Sequence, residues 1–171
     1  TEKSQAMKTR AAFDVLVSHL DDTFDKMGAI RSLLENSHNP EHLGSMKHLF
    51  LRYKHRIIHL FNEFLDQLQI CLESMNSTLS DSEMENIKDT IVGECREIRD
   101  GVDELTDCLE RPEMPEFSQA FVGIFDRLNA RKLSLSEIIT DHLFSHIDYD
   151  ILGRIKLGAR KIRLSKKGTK L

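Results

Sequence analysis

The chain has 171 residues, 40% of them hydrophobic and 30% charged, with a formal net charge of −4. That length suits one hydrophobic core, and three prolines with eight glycines exclude a fibrous or low-complexity chain. Its apolar runs reach only three or four residues, far short of the about 20 that a membrane span needs, and the opening Thr1-Glu2-Lys3-Ser4 carries no apolar stretch of the signal-peptide type.

Periodicity reads as helix along nearly the whole chain. Over residues 4–35, Phe13, Leu16, Val17, Leu20, Phe24, Met27 and Ile30 recur at steps of three or four, which stacks them on one helical face. The run Glu35-Asn36-Ser37-His38-Asn39-Pro40 breaks that pattern. Asn and Ser favour turns, and a proline disfavours a helical residue before it. Residues 41–76 carry the cleanest stripe, from Met46, Leu49 and Phe50 through Tyr53, Ile57, Leu60, Phe61, Phe64 and Leu68 to Cys71, Leu72 and Met75. A helix of that length runs about 50 Å and needs long neighbours to cover it.

Ser80 followed by Glu83 predicts a capping box, with Leu79 as its hydrophobic staple. The helix it starts places Met84, Ile87, Ile91, Cys95, Ile98, Val102, Leu105 and Leu109 on one face. Two prolines in Arg111-Pro112-Glu113-Met114-Pro115 end it. A shorter helix follows with Phe117, Phe121, Ile124, Phe125 and Leu128, and a last one, capped by Ser134 or Ser136, carries Leu135, Ile138, Ile139, Leu143, Ile147 and Ile151. No stretch alternates with period two as a strand does. The expected fold is therefore all-α, an antiparallel bundle of about five helices, three long and two shorter, over residues 1–153. Residues 154–171 are expected to be a basic tail or linker.

The three cysteines, Cys71, Cys95 and Cys108, are odd in number and lack CxxC spacing, so a reduced, cytoplasmic setting is expected. A first residue other than Met suggests a segment of something longer.

Charge is unevenly distributed. Residues 81–116 hold thirteen acids against four bases. Residues 151–171 hold eight bases, Arg154, Lys156, Arg160, Lys161, Arg163, Lys166, Lys167 and Lys170, and no acid. Such asymmetry speaks to partners rather than to fold. The basic segment, interleaved with Ile155, Leu157, Ile162 and Leu164, suits nucleic acid or an anionic membrane, or a helix end whose cations complement the dipole.

Two histidine sets stand out. His142, His146 and Asp150 are spaced by four, so they share a face that also holds Leu135, Ile138 and Ile139. Two imidazoles one turn apart, with a carboxylate one turn on, are a candidate site for a transition metal such as Zn or Fe. The alternative is a pair of histidines at the stripe edge, satisfied by carboxylates or water. On the second helix His48, Arg52, His55 and His59 step by four, three and four, with Arg56, Lys47 and Lys54 alongside. At about 100° per residue this row lies opposite the apolar stripe. It is an ordinary solvated face or a docking surface for an acidic partner or phosphate, for instance the acidic third helix.

The segments His59-Leu60-Phe61-Asn62-Glu63 and Asp141-His142-Leu143-Phe144-Ser145-His146-Ile147, with His19 on the first helix, resemble pieces of the hemerythrin family. That resemblance implies a helical bundle with His-x-x-x-Glu on one helix and His-Ile before an Asp on the last. The third helix has no histidine where that family supplies His-x-x-x-His, so the resemblance implies a single-metal site rather than a di-iron one. Arg52 and His59, with six residues between them, are similar to the Arg-to-His signature of the helical HEPN ribonucleases, which implies activation of a ribose hydroxyl against phosphate.

No glycine-rich phosphate loop, nucleophile elbow or zinc-finger spacing is present in the sequence. The leading expectation is a non-enzymatic regulatory or adaptor bundle, without a cofactor, that meets a protein partner or a second copy of itself through its helix faces. A metal-binding sensory bundle is the alternative, and nucleic-acid binding through the tail comes third.

Overall fold

The computed structural model describes residues 2–36, 40–111 and 116–147. They form four long helices: α1 (Glu2–Asn36), α2 (Pro40–Ser74), α3 (Asp81–Leu109) and α4 (Phe117–Ile139). A π-helical turn, Thr140–Phe144, and one further turn, α5 (Ser145–Ile147), continue α4. Among the described residues there is no strand. Each helix packs against two neighbours, α1 and α3 both lying against α2 and α4. The short connections make consecutive helices antiparallel. At one end Ser77, just after α2, donates to the Glu2 carboxylate at 2.9 Å. At the other Lys47 of α2 pairs with Glu110 at 2.6 Å.

The stripes predicted from periodicity form the core. Leu16, Leu20, Phe24 and Met27 of α1 are buried against Phe50, Ile57, Phe64 and Leu68 of α2, Ile91, Ile98 and Val102 of α3, and Phe121 and Leu128 of α4. Aromatic rings mark both ends. Phe13 meets Phe144 at 5.0 Å and Phe64 at 6.3 Å, and Phe50 meets Phe121 at 5.5 Å and Tyr53 at 5.8 Å, mostly edge-on.

Three buried threonines are satisfied locally. Thr9, Thr23 and Thr106 each donate a hydroxyl to the carbonyl four residues back in their own helix, at 2.8–2.9 Å. Two helix seams depend on a small residue or a cap. Gly101 of α3 lies so close to α4 that a Cβ there would meet the Leu128 Cδ1 at 2.6 Å. The box at Ser80 forms as expected: its hydroxyl accepts from the Glu83 N–H at 3.1 Å, and the Glu83 carboxylate accepts from the Ser80 N–H at 3.2 Å. Leu79 is buried beside it.

Among the described residues the five-helix count is not confirmed, and the difference falls at α4. No break separates Leu128 from Leu135: one helix runs unbroken from Phe117 to Ile139. Ser134 and Ser136 do not cap anything. Their hydroxyls donate to the carbonyls of Arg131 and Leu133 three residues back, inside the helix. The real irregularity comes later, where the Ser145 N–H reaches the Thr140 carbonyl across five residues. One extra residue in a turn rotates everything after it by about 100°. Phe144 therefore faces α1 and is buried, with the Arg10 guanidinium 4.2 Å from its ring centre.

Candidate functional site

The π turn alters the first histidine set. His142 and His146 were expected on the apolar side of the last helix. Both are only half-buried, while Leu143 and Phe144 take the core positions between them. His146 lies near the start of α3, where its charge adds to the forces holding the Glu83 carboxyl below its ordinary range. The larger contributions there are the Ser80 backbone and side-chain hydrogen bonds. Asp150 lies outside the described residues, and among those residues no three His, Cys, Asp or Glu side chains are grouped to hold a metal ion.

The residues of the hemerythrin resemblance do not turn inward. His19 is exposed on α1 and shares a 3.0 Å hydrogen bond with the Arg56 guanidinium of α2. His59 pairs with Glu63 at 3.0 Å on the outer face of α2, the two side chains being 72% and 62% exposed. Arg52 and His59, the pair similar to the HEPN signature, are both exposed on that same face, about 10 Å apart along the axis.

That face of α2 presents the second histidine set as expected. His48, Arg52, His55 and His59 are all exposed in one row, opposite buried Phe50, Ile57 and Phe64. Arg56 is turned aside and half-buried, its guanidinium 3.6 Å from Asp22 of α1. The flanking lysines are engaged too. Lys54 is hydrogen-bonded to Asp103, and Lys47 pairs with Glu110, both toward α3. Lys47 holds the Glu110 carboxyl below its usual range. Thus the acidic third helix is a partner of α2 within the chain, through Lys47 and Lys54, and the row itself presents Arg52 and three imidazoles outward.

Sequence reasoning did not find the grooves. One, of about 630 Å³, lies where α3 ends and α4 begins. Glu104, Asp107, Glu110, Glu116 and Arg111 rim a floor of Cys108, Phe117, Ala120 and Ile124. A second, of 370 Å³, lies between α2 and α3 at the opposite end, lined by Glu73, Asp81, Glu85 and Lys88 around Leu72 and Met84. The acid count over residues 81–116 was the available signal for both; the apolar floors come from juxtaposing two helices and leave no local trace. All three thiols are free. Burial raises each of their pKa values, Cys95 to about 12 with a further push from Glu94.

The basic segment Arg154–Lys170 lies outside the described residues. No helix among the described residues is long and apolar enough to cross a membrane. Comparison of the chain with family models, with curated proteins and with solved structures gives no match.

Proposed function

We propose that this chain is a non-enzymatic adaptor bundle whose partner contact is the outer row of α2: His48, Arg52, His55 and His59, with Arg56 at its edge. The observation that supports this reading is the division of labour among the cations of α2. Lys47, Lys54 and Arg56 are engaged by Glu110, Asp103 and Asp22 of neighbouring helices, and so contribute to packing. Arg52, His48 and His55 have no such partner among the described residues and project along a single exposed face. A guanidinium flanked by ring donors at helical spacing suits a carboxylate-bearing helix or strand of another protein, since Arg takes a carboxylate bidentately. The core favours this reading as well, because its buried polar residues among those described are threonines satisfied within their own helices.

The test is charge reversal in the full chain. Arg52→Glu combined with His55→Glu should leave the melting temperature unchanged, because both side chains are exposed. The same variant should reduce recovery of one acidic partner with the tagged chain, from cells that naturally make it, by roughly tenfold or more, the loss that about 1.4 kcal/mol produces. Unchanged recovery of every co-purifying protein would refute the assignment.

A further inference from the structure

The groove at the junction of α3 and α4 has an apolar floor and an acidic rim, and the chain itself holds a segment of matching chemistry. We propose that residues 154–171 bind back onto the outer face of α3 in the same molecule and seat their aliphatic side chains in this groove. The segment carries eight bases and no acid, on a remainder of the chain whose net charge is −12. Of its apolar members, Ile162 and Leu164 lie far enough along the segment to meet a floor of Phe117, Ala120 and Ile124.

Several α3 acids are already matched. Asp103, Glu104 and Glu110 face Lys54, Arg127 and Lys47, and Arg131 lies 3.7 Å from Glu94 and Glu97. Glu85, Asp89, Asp107 and Glu116 are exposed with no cation paired to them among the described residues. Asp89, Asp100 and Asp107 fall within about 20° of one another around α3. They form an outward row in which Arg96 is the intervening base and Asp100 meets, among the described residues, only its neighbour Arg99. A cationic strand laid along that row meets the acids the bundle leaves over.

The reach is sufficient. The described chain ends at Ile147, near the start of α3, since α4 runs back along α3 from the Leu109–Phe117 junction and the π turn that follows it packs on α3. From Glu83 to Asp107 is about 36 Å at 1.5 Å per residue. An extended chain covers that in about 11 residues, so Arg160, Lys161 and Arg163 can all arrive at the groove. Tethering raises the effective concentration to roughly the millimolar range, which lets individually weak, screened ion pairs act together.

Carbodiimide coupling of lysine amines to carboxylates in the intact chain, read by mass spectrometry, tests this. An equal mixture of light and nitrogen-15-labelled chains separates links within a molecule from links between molecules. The expected result is single-isotope links from Lys161, Lys166, Lys167 or Lys170 to Asp107, Glu116 or Asp89, falling to background as salt rises from about 0.05 to 0.5 M. Full-length Asp89→Asn/Asp107→Asn should lose most of them while circular dichroism still reports the helices. If that variant unfolds, the salt series on the unaltered chain stands alone. Absence of α3 links, links to Asp14 and Asp25 of α1 at equal yield, or links mainly between light and heavy chains would each overturn the proposal, the last in favour of a second copy as the occupant.

Discussion

Cys95 shows how much a single position reports about the packing. It stands on the α3 stripe between Ile91 and Ile98, nearly inaccessible, and burial with Glu94 nearby pushes its thiol from 9.0 up to about 12. Only the thiolate attacks a disulfide reagent. In the folded chain at pH 8, Cys108, which is half-buried at the groove floor, should therefore react first, and Cys71 and Cys95 only on unfolding. Equal rates for all three would mean that the α2–α3 seam is open. Because the folded pKa is the raised one, the unfolded chain releases its proton first as pH climbs past 9.0. Stability should fall with pH above that point. Glu83 has the opposite sign. Its folded pKa is lowered from 4.5 by the Ser80 bonds, so its contribution is present above pH 4.5 and lost as pH drops through the folded value. Glu83→Gln should lower the melting temperature at pH 7, and by progressively less as pH falls below 4.5; a loss of equal size at every pH would show that the carboxylate charge is not what matters.

The helices were legible to different degrees. α1, α2 and α3 follow from stripes such as Phe13–Leu16–Leu20–Phe24 because burial in a bundle obeys the helical period. The cap of α3 was legible because Ser80 and Glu83 act within one turn. The start of the expected last helix was misread for a physical reason: Ser134 and Ser136 have the composition of a cap, yet inside a packed helix their hydroxyls bond back to carbonyls. The π turn leaves no mark in residue types at all. Its consequence is testable at Phe144, which the extra residue swings onto Phe13 and beneath Arg10. Phe144→Ala should cost about 3–5 kcal/mol in denaturant unfolding; a change of a few tenths would mean that the ring is not buried. Glycines separate two kinds of helix surface in the same way. A Cβ at Gly93 meets nothing within 4 Å, so Gly93→Ala should stabilise by about 0.5–1 kcal/mol. Gly101→Ala drives into the buried Leu128, and about 1–3 kcal/mol of overpacking should cancel or exceed the same gain. Equal effects at the two glycines would contradict the close α3–α4 approach.

Across the whole molecule, apolar stripes meet inside and charge is sorted outside, basic on α2 and acidic on α3. The outer row of α2 was legible because it is the angular complement of the buried stripe. The acidic third helix was legible as a counterpart of α2, but the particular pairs Lys47–Glu110, Lys54–Asp103 and Arg56–Asp22 and the groove beside Phe117 were not, since they join residues far apart in the chain. What the bundle leaves exposed is, on this account, where it works. The most direct test places a photo-crosslinking residue on each outward face of the full chain in its own cells: at Ala29 of α1, His55 of α2, Arg96 of α3 and Ala130 of α4, all exposed. Position 55 should yield a discrete adduct with one partner protein, and positions 29 and 130 none. Adducts from Ala130 as strong as those from His55, or no adduct at 55, would contradict the account.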